Sequence, residues 1–289
     1  MKAGFTRSTP VPLYWVSHGP QGAERLLILH GGPGAHHDYL LPQMLELARD
    51  HECVFYDQRG GGRSRHDDDR GPITWESQVR DCEAVVRELA LAPLTLVGYS
   101  WGGLLALLYS VQAAHGHAAP MPSRLVLIEP APISRTWRAE FEAEFARRQA
   151  GPLVQGQRAE LAASGLRERD PAAYRQRQFE LSVAGYFADP QAARSLTPFR
   201  VTGRVQQSIW DSLGDFDLTH ALRDVHCPAL VVHGRDDPIP LESSRAAAEA
   251  LQAEFVVLDA CGHVPYVEQP EALFRAIRSF LGRTSPTRA

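Results

Sequence analysis

Short apolar runs alternate with helical patterns along most of the chain. Runs typical of buried strands lie near residues 26–30, 52–57, 94–98, 124–128, 229–233 and 254–259. The segment ahead of them predicts two further, antiparallel strands. Helical periodicity falls between the runs, over residues 75–90, 100–115, 241–253 and 271–281. This alternation predicts an α/β fold with a mostly parallel, twisted sheet and helices on both faces.

A helical segment interrupts the alternation after the strand predicted at 124–128. This strand is the sixth when the two N-terminal strands are counted. Its helical patterns cover residues 137–149, 158–166 and 174–186, and it contains little strand pattern. We expect a catalytic domain made of residues 1–130 and 223–289 and a helical cap made of residues 131–222. Because α/β folds carry their functional groups at the carboxyl ends of the strands, this cap should lie over the active site and select its substrates.

The run from Gly98 to Gly102 reads Gly-Tyr-Ser-Trp-Gly and joins a strand pattern to a helical pattern. A serine at the apex of such a sharp turn has a strained backbone and an exposed hydroxyl. The flanking positions must be glycine because a Cβ atom there would collide with the neighbouring strand and helix. The pattern therefore predicts that Ser100 is a nucleophile.

A nucleophilic serine needs a base and a carboxylate that orients the base. Asp236 and Asp237 follow the apolar run 229–233, and either is in a position to orient an imidazole. His263 follows the last apolar run and is the candidate base. Glu129, at the end of the sixth strand pattern, is a second choice for the acid. The chain order Ser, Asp, His is that of the α/β-hydrolase fold.

A glycine-rich turn supplies candidate donors for an oxyanion. The run His30-Gly31-Gly32-Pro33-Gly34 directly follows a strand pattern. We expect the backbone N–H groups of Gly32 and of Trp101, the residue after the nucleophile, to form the oxyanion hole, with Gly31 as the alternative to Gly32. A phosphate-binding loop is the competing interpretation, but the run lacks the lysine and the GxGxxG spacing of such loops.

Three blocks of the sequence resemble the signature blocks of the proline iminopeptidase family of α/β-hydrolases. They are the glycine-rich turn at 30–34, the block Asp-Gln-Arg-Gly-Gly-Gly-Arg-Ser at 57–64, and the serine turn at 98–103 with tryptophan after the serine. The resemblance covers residues 25–130 and 225–281 and is weak between them. It implies the α/β-hydrolase fold and places the acid at Asp237, the fourth residue of Gly-Arg-Asp-Asp.

The resemblance also implies a substrate class. Proline iminopeptidases release an N-terminal proline from peptides and bind the substrate ammonium with carboxylates of the cap. Glu180 is our candidate for such a carboxylate because it lies on a helical pattern beside Phe179. The alternative is that Glu180 is an exposed glutamate on the surface of a helix and binds no substrate. The tryptophan-rich cap segment ending in Trp-Glu, a common feature of the family, is not found in this chain.

Composition and charge narrow the possible partners. The net charge is −4, which argues against a nucleic acid or an anionic membrane as the main partner. Because residues 1–14 contain no apolar core of signal-peptide length, and because no stretch approaches the length of a membrane span, we expect a cytoplasmic protein. The four cysteines lack CxxC spacing, so neither a metal site nor a disulfide framework is expected. The acidic run Asp67 to Asp69 should be solvated and the polar end 283–289 frayed.

Together these features predict a serine hydrolase that works through an acyl-enzyme, without a metal or an organic cofactor. The favoured substrate is a short peptide with an N-terminal proline or another small residue. The first alternative is an esterase, an amidase or a carbon–carbon bond hydrolase that acts on a neutral small molecule with the same triad. The second alternative is a binding protein on a hydrolase scaffold. The sequence leaves the oligomeric state open.

Overall fold

The computed structural model describes residues 1–65 and 73–283. A single sheet in these residues has eight strands: β1 (Lys2–Phe5), β2 (Tyr14–His18), β3 (Arg25–Leu29), β4 (Glu52–Tyr56), β5 (Thr95–Tyr99), β6 (Arg124–Ile128), β7 (Ala229–Gly234) and β8 (Glu254–Leu258). The spatial order is β1-β2-β4-β3-β5-β6-β7-β8. β2 pairs antiparallel with β1 and β4, and the other pairs are parallel. The predicted α/β fold with a mostly parallel sheet is confirmed.

The α-helices of the described residues are α1 (Trp75–Glu88), α2 (Trp101–Ala114), α3 (Arg135–Gln149), α4 (Pro152–Ala163), α5 (Leu166–Arg169), α6 (Pro171–Val183), α7 (Gly203–Leu213), α8 (Leu241–Leu251), α9 (Pro265–Glu268) and α10 (Pro270–Arg283). Each face of the sheet carries its own apolar core. Leu27 of β3 belongs to the core that α1, α2 and α8 cover, whereas Ile28 belongs to the core that α10 covers. Successive strand residues point to opposite faces, so helices do cover both faces of the sheet.

The helices α3 to α7 all lie between β6 and β7, as expected of an insertion after the sixth strand. The limits of the cap at residues 131 and 222 stay a prediction. Inside the insertion, the helical pattern at 158–166 is divided between α4 and α5. Gly165 separates these helices with a φ of 64°, a conformation that ends a right-handed helix and suits glycine.

Helix α7 was not predicted. Its buried residues Val205, Ile209 and Leu213 follow one another at four-residue spacing. This spacing places them on one face of a helix, so it was the pattern from which α7 could have been found.

Two stretches lie outside the described residues, 66–72 and 284–289. The acidic run Asp67 to Asp69 and nearly all of the polar C-terminal end fall in them. Among the helices of the described stretches, none is both long enough and apolar enough to cross a bilayer.

The carboxyl ends of β3, β5, β6, β7 and β8 meet along one edge of the sheet because these strands are parallel neighbours. His30 follows β3, Ser100 follows β5 and Glu129 follows β6. Asp237 and His263 lie in the loops after β7 and β8. The topology therefore brings all the candidate residues of the catalytic domain to one place.

Candidate active site

Ser100 occupies a sharp turn between β5 and α2. Its φ and ψ are 54° and −120°, a conformation that residues other than glycine rarely adopt. A Cβ atom on Gly98 would lie 2.4 Å from the Gly102 carbonyl oxygen, and a Cβ atom on Gly102 would lie 2.1 Å from the Leu29 carbonyl oxygen. The Ser100 N–H donates to the Ile128 carbonyl at 3.0 Å. Both glycines are thus required by packing, and the serine is at the apex of a strained turn.

Two hydrogen bonds join Ser100, His263 and Asp237. Ser100 Oγ lies 2.9 Å from His263 Nε2, and His263 Nδ1 lies 2.7 Å from Asp237 Oδ2. Because a carboxylate only accepts, Nδ1 carries the proton of the neutral imidazole. The lone pair of Nε2 is then free to accept the Ser100 hydroxyl proton. The structure brings the three predicted residues together in an order that permits this transfer.

Backbone and aromatic contacts fix the imidazole of His263. The backbone N–H of His263 donates to the Tyr186 carbonyl at 2.6 Å, and the backbone carbonyl of His263 accepts from the Tyr99 hydroxyl at 2.9 Å. The rings of Tyr186 and Tyr99 lie against the imidazole, with centroids at 5.0 and 5.4 Å. Since Tyr186 lies in the short turn that follows α6, the helical insertion contributes directly to the surroundings of this histidine.

Asp236 and Asp237, which the residue pattern alone did not distinguish, have different surroundings. Asp237 is buried, and its Oδ1 accepts from the Ile239 N–H at 2.7 Å. Burial alone would raise the pKa of Asp237, but the charge and the hydrogen bond of His263 outweigh burial and lower it. Asp236 is exposed to solvent. The structure therefore places Asp237, and not Asp236, against the imidazole.

The glycine-rich turn after β3 lies directly against the serine. A Cβ atom on Gly31 would be 2.8 Å from the Cβ of Ser100, so a side chain does not fit there. The N–H of Gly31 donates to the Tyr39 hydroxyl at 2.7 Å and is not free for a substrate oxygen. Within the described residues, the N–H groups of Gly32 and Trp101 donate to no protein acceptor. These two groups are the donors that remain available.

Gln58 connects the glycine-rich turn to the serine turn, although no local pattern in the sequence marks it. Its Nε2 donates to the His30 carbonyl at 2.8 Å, and its Oε1 accepts from the indole N–H of Trp101 at 2.7 Å. Its own N–H donates to His30 Nε2 at 3.1 Å, which requires a neutral imidazole. Burial lowers the pKa of His30 to about 4, in keeping with that form. Gln58 therefore ties together the two segments that carry the free N–H groups.

Comparison with known proteins assigns the chain to a family. Residues 26–276 match the model of the Alpha/beta hydrolase family. The chain belongs to this family. A proline iminopeptidase from Lactobacillus delbrueckii subsp. bulgaricus is 28% identical to this hydrolase over 255 residues, which cover 84% of this chain and 85% of the relative. The resemblance to proline iminopeptidases is therefore confirmed.

Solved structures share the fold of this hydrolase at lower identity. A proline iminopeptidase-related protein from Thermus thermophilus has a TM-score of 0.75 at 21% identity, over 99% of this chain and 98% of that chain. An esterase from Exiguobacterium antarcticum has a TM-score of 0.71 at 20% identity, over 97% of this chain and 100% of that chain. Because a proline iminopeptidase-related protein and an esterase share this fold, the substrate has to be argued from the site.

Glu180, the predicted substrate carboxylate of this hydrolase, is buried on α6. Its Oε2 accepts from Arg177 at 2.7 Å, so its charge is balanced within its own helix. The neighbouring Phe179 contacts Phe199 edge-on, and Phe199 stacks on Tyr39 with centroids 4.3 Å apart. Since Tyr39 also binds the glycine-rich turn, aromatic contacts connect α6 to the surroundings of the serine.

One group of possible metal ligands in this hydrolase includes Asp237. Among the described residues only Glu129, His233 and Asp237 bring three such side chains together, with donor atoms within 4.8 Å of one another. The nitrogens of His233 already face other partners, the Ile239 carbonyl at 3.1 Å and Ser244 Oγ at 2.8 Å. The group therefore offers no free imidazole nitrogen and does not fit a metal centre.

Proposed function

We propose that this protein is a serine hydrolase in which Ser100 is the nucleophile, His263 the general base and acid, and Asp237 the carboxylate that orients His263. The observation that carries the proposal is the continuous hydrogen-bond chain from Ser100 Oγ through both imidazole nitrogens to Asp237, at 2.9 and 2.7 Å. The same roles on unrelated folds are recognised by this geometry.

In the proposed reaction, His263 Nε2 takes the hydroxyl proton while Ser100 Oγ bonds to the carbonyl carbon of the substrate. The carbonyl oxygen becomes negative and accepts from the N–H groups of Gly32 and Trp101, each worth about 3 kcal/mol in the transition state. His263 then gives its proton to the leaving group, whose bond to carbon breaks to form the acyl-enzyme. A water deprotonated by His263 then bonds to the acyl carbon. The bond from that carbon to Ser100 Oγ breaks, and His263 returns the proton to Oγ, which releases the acid and restores the serine.

The proposed substrate is a short peptide with a free N-terminal proline or another small residue. Support comes from the 28% identity to a proline iminopeptidase over 84% of the chain and from the three sequence blocks. Residues 131–222 would act as the cap, and Glu180 would bind the substrate ammonium. Arg177 would then have to release or share its 2.7 Å bond to Glu180.

That bond also favours a second candidate, hydrolysis of a neutral ester, amide or carbon–carbon bond. A neutral substrate leaves the Arg177–Glu180 pair intact. An ammonium in a buried site must instead be compensated, because leaving one charge unpaired there costs about 2–5 kcal/mol.

The two candidates differ in their need for a free amine. We expect kcat/KM for prolyl p-nitroanilide to exceed that for the N-acetylated compound by about 30-fold or more, as the cost of an unpaired charge requires. Glu180→Gln should reduce this preference. Glu160→Gln, a change at an exposed glutamate of α4, should leave it unchanged. A short-chain p-nitrophenyl ester serves as the neutral substrate.

Equal rates with and without the free amine, or activity on the ester alone, would replace the peptidase proposal by the second candidate. Labelling by a fluorophosphonate tests the serine mechanism separately, since Ser100→Ala should abolish it. If the unaltered protein is not labelled either, the serine hydrolase proposal fails and a binding protein on this scaffold remains.

A further inference from the structure

Glu129 is a fully buried carboxyl group that the proposed mechanism does not use. It follows β6 directly and has a φ of 45°, a backbone conformation that residues other than glycine rarely adopt. Its Oε1 accepts from the Gly234 N–H at 2.7 Å. Within the described part of the chain, its buried Oε2 accepts a hydrogen bond from no donor. A charged oxygen without a donor is costly in such a place, so the protonation of Glu129 has to be worked out from its neighbours.

The protonation state of His233 shows whether this residue can donate a hydrogen bond to Glu129. Its Nε2 faces the Ile239 carbonyl at 3.1 Å, and because a carbonyl only accepts, Nε2 carries a proton. Its Nδ1 lies 2.8 Å from Ser244 Oγ and 3.3 Å from Glu129 Oε2. Burial lowers the pKa of His233, so the ring is neutral and Nδ1 presents a lone pair that accepts from Ser244. Glu129 Oε2 therefore finds no proton donor on His233.

The other titratable groups around Glu129 are mostly acidic. Asp237 lies in the loop after β7, Cys261 in the loop after β8, and Glu268 on α9. Burial, and after it the charge of Asp237, raises the pKa of Glu129 well above its ordinary range. An oxygen of Glu129 and an oxygen of Asp237 lie within 4.8 Å of each other. Two carboxyl groups this close are stable when one of them holds a proton. Because Asp237 is the one paired with a histidine, the proton belongs on Glu129.

We propose that Glu129 is a positioning residue: it stays protonated and donates a hydrogen bond to Asp237, which holds the Asp237 carboxylate against His263. With the Ile239 N–H on Oδ1 and His263 on Oδ2, this bond fixes the carboxylate from a third direction. The inference rests on the proposed role of Asp237 as the triad acid.

The proposal has a consequence for the pH dependence of the reaction. A hydrogen bond from Glu129 draws negative charge away from Asp237. Without it, Asp237 would attract the proton on the catalytic imidazole more strongly, and the acid limb of the kcat/KM profile would move to higher pH. A neutral amide in place of the carboxyl group can still donate this bond, whereas an alkyl side chain of similar size cannot.

The test compares Glu129→Gln with Glu129→Leu. Glu129→Gln should keep kcat/KM within about threefold of the unaltered protein and leave the acid limb in place, since the neutral amide reproduces the protonated carboxyl. Glu129→Leu should lower kcat, with little change in KM, by about tenfold to 100-fold, the effect of losing one hydrogen bond to a charged group. Its acid limb should rise by about one pH unit.

Infrared spectroscopy gives a readout that needs neither substrate nor the leucine variant. At neutral pH the unaltered protein should show the carbonyl stretch of a protonated carboxyl, and Glu129→Gln should lack it. Absence of that band, or a band that survives in Glu129→Gln, would overturn the proposal even if the serine mechanism holds. A glutamine variant as impaired as Glu129→Leu, or an unshifted acid limb in Glu129→Leu, would overturn it as well. If the unaltered protein is not labelled by a fluorophosphonate, that result would instead count against the proposed function alone.

Discussion

The link that Gln58 makes between the two turns should be visible in catalysis as well as in stability. Gln58→Met keeps a side chain of similar size and removes both side-chain hydrogen bonds, those to the His30 carbonyl at 2.8 Å and from the Trp101 indole at 2.7 Å. Each partner is buried and would be left unpaired. At about 1–3 kcal/mol for each unpaired group, the free energy of unfolding should fall by about 2–6 kcal/mol.

The largest expected effect on kcat is the loss of one of the proposed oxyanion donors. Complete loss of one donor lowers kcat by about 10²–10³. Gln58→Met displaces the segments that carry the N–H groups of Gly32 and Trp101 without removing those groups, so we expect a loss of about 10- to 100-fold. KM should change little, because these donors act on the charge that develops in the transition state.

Gln78 provides the matched control for this substitution. It is another fully buried glutamine, and its Nε2 donates at 3.1 Å to the carbonyl of Arg59, a residue that belongs to neither turn. Gln78→Met should lower the free energy of unfolding by about 1–3 kcal/mol and leave kcat unchanged. The measurements are urea unfolding and steady-state kinetics on the best substrate. Wild-type kcat in Gln58→Met, together with a stability loss like that of Gln78→Met, would refute the role assigned to Gln58.

Two further predictions concern the carboxyl groups of the site. Asp237→Asn should lower kcat by about 10⁴, while Asp236→Asn should keep most activity because its side chain is exposed; the opposite result would move the acid to Asp236. Because the folded-state pKa of Glu129 is raised, its contribution to stability is complete below the ordinary value of 4.5 and is lost as pH rises towards the folded value. The unaltered protein should therefore lose stability relative to Glu129→Gln above that pH, by up to about 1.4 kcal/mol per pH unit in urea unfolding, and parallel pH curves would contradict a protonated Glu129.

The parts of the molecule that could be predicted from the sequence depend on neighbours in the chain. The turn at Ser100 is specified by glycines two residues away on either side, and the strands by their own apolar runs. The order of the strands then brings the loops of Asp237 and His263 to the same edge. Only the resemblance to a family distinguished Asp237 from Asp236, because the choice depends on how the loop after β7 folds against the loop after β8.

The residues that were missed make their contacts far along the chain. The partners of Gln58 are 28 and 43 residues away, so no local pattern marks it. The pairing of Glu180 is different in kind: Arg177 lies one helical turn earlier, and three-residue spacing on a helix predicts such a pair. Burial of Glu180 in the insertion was the part that could not be predicted, and together with the bond from Arg177 it makes the charge of Glu180 hard to offer to a substrate.

The helical insertion also takes part in orienting His263, the proposed base. Glu268 accepts from the N–H of Gly262, next to His263, and from the N–H of Ala188 in the insertion, both at 2.8 Å. The Tyr186 carbonyl holds the N–H of His263 itself at 2.6 Å. A change in the insertion that shifts residues 186–188 would therefore also displace the imidazole of His263. For this hydrolase, substitutions made to alter substrate preference near that segment should lower kcat even for substrates that the new pocket accommodates.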